Sequence, residues 1–567
     1  MIRTFEQHQL RRTRFLDGQW DFAADPERIG EAEGWAAEFP AHARKMYVPS
    51  CWNNELGLFD YEGAAWYRTA FTLPRRGHVR LVFHAVMGKA EVYVDGRPVG
   101  SHYGSFTAFE VVLADLEAGA HTLTVRTDNT HTPQTLPLER VDWHHYGGII
   151  RPVELQELPD VYIERFRVKY SLDYRRRIAD VQVDCSLRSL SDRDAAVPLA
   201  LDCSDGGPAG AVNEVFVPAL GRAEARFVFR MEEVRLWEAG RASLYSFRVH
   251  TPEDDWTERI GFRKIEAANK TILLNGRPVY FKGVNRHEEH PEWGFAFPPK
   301  LMQKDLDIIK RLGCNSVRGS HYPNSPYWLD LLDEQGILFW SEIPVWQFSA
   351  GNMADPVVQE RAVAMLREMI AEHYHHPSIV FWSVNNECQT DTGEGLAFNT
   401  LLVNEVRALD DSRLVTFATS RPLTDLTLAL VDVIGINQYY GWYGGKTEEF
   451  ADFLRKFAAY ARETGAADKP VVISEFGGAG IFGESGWEEN RMYSEDYQAK
   501  LLEEALTIFR SDPNVQGTFI WLFADIRTDT PRFRDRARGF NNKGLVNEYR
   551  KPKMSYRTAK RIYESWE

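Results

Sequence analysis

The chain has 567 residues, 44% of them hydrophobic and 26% charged, which is the balance of a folded globular protein. It is too long for one ordinary domain; about 100–200 residues per domain gives about three to four. A formal net charge of −14 with no Lys/Arg block excludes nucleic acid as the expected partner, and no run of about 18 apolar residues offers a membrane-spanning helix. The five cysteines (Cys51, Cys185, Cys203, Cys314, Cys388) form no CxxC pair, so neither a zinc site nor a disulfide framework is expected. The opening "MIRTFEQHQLRRTRF" lacks the apolar core of a signal peptide, which makes a reducing cytoplasm the expected compartment. The 16 tryptophans suit sugar stacking as well as they suit large cores.

Up to residue 160 the pattern is one of short alternating segments with turn signals. "AEVYVDGRPVG" alternates around Val92 and Val94 and turns at Asp95-Gly96, and "AHTLTVRTDN" puts Leu123 and Val125 on one face. This predicts a jelly-roll β-sandwich over 1–160. "ADVQVDCSL", with Val181, Val183 and Cys185 on one face, then "ARFVFRM" and "LYSFRVHT", predict an immunoglobulin-like β-sandwich over 161–266.

From 267 to 567, after a hairpin at Asn275-Gly276, strands and helices alternate. The strands are "VYFKGVNRHEE", "SVRGSH", "LFWSEIP", "IVFWSVNNE", "LVTFATS", "VDVIGINQYY", "PVVISEF" and "GTFIWLFAD". Helical runs such as "KLMQKDLDIIKRLG" and "YQAKLLEEALTIF" lie between them, and "SYRTAKRIYESWE" closes the cycle. Eight units predict a (β/α)8 TIM barrel carrying the active site. The competing open doubly wound sheet lacks any GxGxxG or GxxxxGK[ST] motif in support.

Side chains at the C-terminal strand ends of such a barrel face its site. Those ends hold His287, Glu289, His321, Glu342, Asn386, Glu387, Tyr439, Tyr443, Glu475, Trp521 and Asp525. Glu387 and Glu475 follow the fourth and seventh strands, across the mouth from each other, where about 5–5.5 Å of separation would suit a retaining glycosidase. Glu387, after an apolar strand and facing a second carboxylate, suits the proton donor, with Asn386 placed for a sugar 2-hydroxyl. Glu475, followed by Gly477 and Gly478 that would let a ligand approach, suits the nucleophile. The run "HYHHP" (His373, His375, His376) resembles a metal cluster, but helix capping and solvent exposure are the expected explanation.

With these residues in hand, the sequence resembles glycoside hydrolase family 2, most like its β-glucuronidases, over nearly the whole chain. "AAWYRTAFTLP" resembles the family's jelly-roll segment, and "YFKGVNRHEEHP" and "SVRGSHYPNSPYWLDLLDEQGILFWSEIP" its first three barrel strands. "HHPSIVFWSVNNE" is similar to the acid/base signature and "PVVISEFG" to the nucleophile strand, which implies Glu387 as acid/base and Glu475 as nucleophile. "FNNKGLVNEYRKPK" resembles the uronate-reading N-x-K-G motif, so Asn541 and Lys543 would meet a C6 carboxylate. "INQYYGWY" is similar to a sugar-contacting strand, pointing to Tyr439 and Tyr443, and Trp521 matches a tryptophan flooring the sugar site. Asn386, His287, Glu289 and His321 complete the expected substrate-binding set.

The chain departs from the glucuronidase pattern at Glu289 and Leu522, where those enzymes carry Asp and Asn. "RHEEHPEWG" and "SEIPVWQFS" are similar to the β-galactosidase side of the family, and "RTDTPRFRDRARGF" is unusually rich in arginine. The short "VWQFSAGNMADP" lacks a long lid-like loop. The resemblance implies a retaining exo-β-glycosidase acting on terminal β-D-glucuronides without organic cofactor or metal, acting as a homo-dimer or tetramer. Alternatives are another glycon (β-galacturonide, β-galactoside or β-galactofuranoside) or a carbohydrate-binding protein without catalysis.

Overall fold

The computed structural model describes residues 2–205, 207, 210–486, 491–528 and 536–566. Contacts divide the chain into two units, one of Met1–Thr130, Tyr146–Arg263 and Glu372–Pro377, the other of His131–His145, Lys264–Ala371 and Ser378–Glu567.

The first unit holds both β-sandwiches. A four-stranded sheet orders Thr13–Phe15, Val153–Leu158, Gly77–Phe83 and Phe109–Leu116. A six-stranded sheet orders Arg44–Val48, Gly18–Asp25, Ala64–Leu73, Gly119–Asp128, Lys89–Val94 and Arg97–Tyr103. Trp20, Phe22, Trp52, Tyr67, Val92 and Val125 are among the buried residues of their shared core. The expected hairpin forms: Val94 pairs with Arg97, and Asp95 (φ 51°) and Gly96 (φ 73°) take the left-handed conformations a tight two-residue turn requires. A second, smaller sandwich pairs Val161–Asp173, Ile178–Ser189 and Arg222–Met231 in one sheet. Its other sheet holds Ala211–Val217, Ala195–Cys203, Tyr245–His250 and Asp255–Ile260. Val181, Val183 and Cys185 share its buried face, as their period-two spacing predicts.

This unit also corrects the reading of the histidine run. His373, His375 and His376 are not solvent-exposed; His373 and His376 are buried, and the His375 Nε2 accepts the Val168 N–H at 3.1 Å. Burial pushes His373 well below the ordinary histidine range and His375 down to about 4. Their polarity suggested a surface, but imidazole rings pack as other flat rings do.

The second unit is a closed parallel barrel of eight strands in sequential order. These are β1 (Phe281–Arg286), β2 (Ser316–Gly319), β3 (Leu338–Glu342), β4 (Ile379–Asn386), β5 (Leu414–Thr419), β6 (Ile434–Asn437), β7 (Val471–Phe476) and β8 (Val515–Ile520). The helices are α1 (Pro299–Arg311), α2 (Pro326–Gln335), α3 (Ala350–Ala354), α4 (Pro356–His373), α5 (Gly393–Leu409), α6 (Glu449–Glu463), α7 (Glu495–Ser511) and α8 (Met554–Ser565). Between β5 and β6 the described residues form only a 3-10 turn at Leu428–Leu430, so one crossover departs from the regular strand-helix alternation. Every residue of β4 is buried, as a strand covered on both faces requires, and its apolar run ends in polar residues only at the barrel mouth. Pro299 and Pro326 open α1 and α2, where a missing N–H costs nothing, and Gly336 (φ 65°) closes α2 in the left-handed cap.

Candidate active site

The strand ends converge on Arg318 of β2, whose guanidinium is fully buried. Its Nε and Nη2 donate to the two oxygens of Glu342, both at 3.0 Å. Nη1 donates to Glu475 Oε1 at 2.7 Å and to Asn285 Oδ1 at 3.0 Å, and Nη2 also reaches Asn386 Oδ1 at 2.7 Å. A buried guanidinium is stable only when its donors are met by acceptors and its charge by carboxylates. Glu342 and Glu475 supply that charge.

Glu475, the penultimate residue of β7, is almost fully buried. Its Oε2 accepts the Tyr439 hydroxyl at 2.7 Å, and the His321 Nε2 lies 3.9 Å from Oε1. Burial pushes its carboxyl up to about 7 against the pull of Arg318, and the charge of Glu387 acts in the same direction as burial. Burial likewise lifts the Tyr439 hydroxyl well above the usual range, so it stays a donor.

Glu387 follows β4 with a left-handed backbone (φ 54°), a conformation uncommon outside glycine and asparagine. The Glu387 N–H donates to Ala418 O at 2.8 Å, and Gln347 N–H to Asn386 O at 2.8 Å, so neighbouring strands hold the turn in place. The carboxylate accepts Asn437 Nδ2 at 2.9 Å and Gln347 Nε2 at 2.8 Å.

Glu387 and Glu475 both line one cavity of about 450 Å³, together with His321, Tyr439, Tyr443 and Trp521. The other expected residues stand behind this lining. Asn386 is held by Arg318, and His287 packs edge-on against Trp521 with centroids 5.6 Å apart. Asn541 Nδ2 donates to Asp142 at 2.9 Å, and Lys543 Nζ donates to the Tyr443 hydroxyl at 2.8 Å. The Lys543 ammonium also lies 4.9–5.8 Å from the rings of Tyr439, Trp442 and Tyr443. Glu289 is buried outside the lining, its Oε2 accepting the Arg527 N–H at 3.4 Å.

Sequence reading missed Arg140, Asp142 and Trp143, which line the cavity from the segment His131–His145. The His321 ring lies between two indoles, 5.5 Å from Trp143 and 5.1 Å from Trp521, stacked on each. Asp142 also accepts Arg536 Nη2 at 2.9 Å, so Arg536, Asn541 and Lys543 gather around one carboxyl; burial raises it while Arg536 and Lys543 pull it down. In the arginine-rich segment, Arg538 pairs with Glu548 at 2.7 Å; Arg532 and Arg534 lie outside the described residues. The break in alternation at "RVDWHHYGG" was the one available signal for this loop.

The glycines after Glu475 are also held close by neighbouring protein atoms. A Cβ at Gly477 (φ 140°) would lie 2.8 Å from Trp521 O, and one at Gly478 2.9 Å from the Trp442 ring. Both glycines let protein approach protein and so pack the loops that carry the aromatic lining.

The family model of the glycosyl hydrolases family 2 TIM barrel domain matches residues 265–567, that of the sugar binding domain 13–159, and a third model of the same family 161–263. A β-glucuronidase from Paenibacillus borealis is 28% identical over 96% of this chain and 96% of its own length. One from Canis lupus familiaris is 30% identical over 96% of this chain and 89% of its own. Among solved structures, a β-galacturonidase from Eisenbergiella tayi bound to galacturonate is 34% identical, with TM-score 0.92 and 100% of both chains covered. A Ruminococcus gnavus β-glucuronidase in complex with uronic deoxynojirimycin is 28% identical, with TM-score 0.86 and 98% of each chain covered. With its barrel and both β-sandwiches matched in order, the chain belongs to glycosyl hydrolases family 2 and is a glycoside hydrolase.

Proposed function

We propose that the protein is a retaining exo-β-glycosidase that removes terminal β-D-hexuronic acids. In the first step a Glu475 oxygen bonds to the anomeric carbon as the glycosidic C–O bond breaks, and Glu387 passes its proton to the leaving oxygen. In the second, Glu387 takes a proton from water, whose oxygen bonds to the anomeric carbon and displaces Glu475. Arg318 and Tyr439 stabilise the carboxylate that attacks and then leaves, at 2.7 Å each.

The observation that carries the substrate class is the gathering of Arg536, Lys543 and Asn541 beside the cavity that Glu387 and Glu475 line. In a chain of net charge −14, an anionic glycon needs such a local pair of cations. They stand around Asp142 and Tyr443, both lining residues.

The galacturonide is the preferred glycon in this reading, because the Eisenbergiella tayi β-galacturonidase is 34% identical over 100% of both chains. The glucuronide, which the sequence alone put first, is the second reading; curated β-glucuronidases of 28–30% identity and the Asn541-x-Lys543-Gly544 arrangement favour it. The test is kcat/KM on p-nitrophenyl β-galacturonide, β-glucuronide, β-galactoside and β-galactofuranoside, for wild type and Lys543→Ala. A uronide should lead and lose about a hundredfold in the variant, about 3 kcal/mol of charge-assisted contact. A leading neutral glycoside with an unchanged rate in Lys543→Ala would sink the uronide reading.

A further inference from the structure

Glu342 ends β3, is fully buried and does not line the cavity, yet four donors converge on it. These are Arg318 Nε and Nη2 at 3.0 Å, Trp340 Nε1 at 3.0 Å and His321 Nδ1 at 2.6 Å. A carboxylate only accepts, so the His321 nitrogen facing it must carry the ring proton. Arg318 Nη2, itself a donor, is 3.5 Å from the same nitrogen, too long to compete. Burial pushes His321 down to about 4, so the ring holds one proton and its Nε2 is a bare acceptor. Burial pushes Glu342 up, but Arg318 and His321 outweigh it and keep the carboxyl ionised.

The same arrangement sets the Asn386 amide. Its Oδ1 accepts from Arg318 Nη2 at 2.7 Å and from Asn437 Nδ2 at 3.1 Å, so Nδ2 must point the other way. That Nδ2 is buried with no partner among the described residues. Orphaned buried donors are rare, and this one belongs to the residue that precedes Glu387, which lines the cavity.

We infer that Glu342 is a positioning residue that fixes the hydrogen-bonding code of the sugar site: His321 Nε2 as acceptor and Asn386 Nδ2 as donor toward glycon hydroxyls. Glu342 acts on His321 directly and on Asn386 through Arg318. The stacking of His321 between Trp143 and Trp521 holds the ring plane, so the proton position is the remaining variable. In Glu342→Gln the carbonyl would stay with Arg318 and the amide N–H would face His321 Nδ1. The proton would then move to Nε2, turning the site's acceptor into a donor. This rests on the cavity being the glycon site proposed above.

The test is ¹⁵N NMR on protein labelled at histidine, with the His321 signals identified by their loss in His321→Gln. Wild type should show Nδ1 protonated and Nε2 without a proton, and Glu342→Gln the reverse. kcat/KM on the preferred p-nitrophenyl glycoside should fall at least a hundredfold in Glu342→Gln, while Glu342→Asp, which keeps the carboxylate, recovers part of it. A proton on Nε2 in wild type would overturn the inference whether or not the variant folds. So would an unchanged tautomer in a folded Glu342→Gln. Neither result bears on the substrate class, which the Lys543→Ala comparison tests separately.

Discussion

Asn437 and Tyr439 stand two residues apart at the end of β6, and each holds a different carboxylate: Asn437 Nδ2 donates to Glu387 at 2.9 Å and the Tyr439 hydroxyl to Glu475 at 2.7 Å. One strand end therefore sets the placement of both groups. Only Tyr439 can be removed without also freeing Asn386, to which Asn437 donates as well. Tyr439→Phe deletes a single hydrogen bond to a charged acceptor, a contact of about 1.5–3 kcal/mol. A fall in kcat/KM of about 10- to 150-fold is expected, with an unchanged thermal midpoint. No change in rate would show that the Tyr439 hydroxyl does not support Glu475 in the reaction.

With Glu475 as the proposed nucleophile, its raised carboxyl predicts an acid limit on activity. The nucleophile must be ionised, so kcat/KM should decline as pH falls through about 7, the value to which burial lifts this group. Because the charge of Glu387 contributes to that rise, Glu387→Gln should move the limit to lower pH. A dinitrophenyl glycoside, whose leaving group needs no proton, allows that variant to be measured. A limit that stays in place in Glu387→Gln would contradict the contribution of the Glu387 charge.

Removing Arg318 leaves two buried carboxylates without their cation. Arg318→Met should cost about 3–5 kcal/mol of stability, read as a lower thermal midpoint. Adding Glu342→Leu should restore only part of the stability and none of the activity, since Glu475 stays without its cation and the His321 and Trp340 donors lose their acceptor. If the single variant keeps the wild-type midpoint, Arg318 is not the charge centre described.

The loop carrying Asn541 and Lys543 is fixed from below. Asp525 Oδ1 accepts both the Gly544 N–H at 2.9 Å and Lys553 Nζ at 2.6 Å, and Gln498 Nε2 reaches the Lys543 and Gly544 carbonyls at 3.1 Å. A Cβ at Gly544 would sit 2.3 Å from Asp525 N and 2.4 Å from Val546 O, both backbone atoms that cannot give way cheaply. Gly544→Ala should displace the loop at a cost of about 1–3 kcal/mol. KM for the uronide should rise about tenfold or more, with little effect on a neutral glycoside. An equal effect on both would mean that the loop does not read the carboxylate.

Most barrel strands were legible in the sequence because they carry an apolar run that stops at a polar or small residue, as in β4 with Val384, Asn385 and Asn386; β1 (FKGVNR) and β2 (SVRG) carry none and are legible only from the strand-helix alternation around them. The (β/α)8 order then follows from counting. Arg318 was harder to read: its charge gives no local sign that Glu342 and Glu475, from strands far along the chain, would bury it. Asp142 and Trp143 could not be placed from sequence, because their segment lies among sandwich strands yet belongs to the barrel unit. Periodicity reads which face of an element is buried; it does not read which distant loop completes a cavity.

The most direct test is the anomeric configuration of the first sugar released from p-nitrophenyl β-D-galacturonide, followed by ¹H NMR before mutarotation. Galacturonate appearing first as the β-anomer, with the reaction abolished in Glu475→Gln, is the expected result. The α-anomer appearing first, or turnover surviving in Glu475→Gln, would contradict double displacement at Glu475.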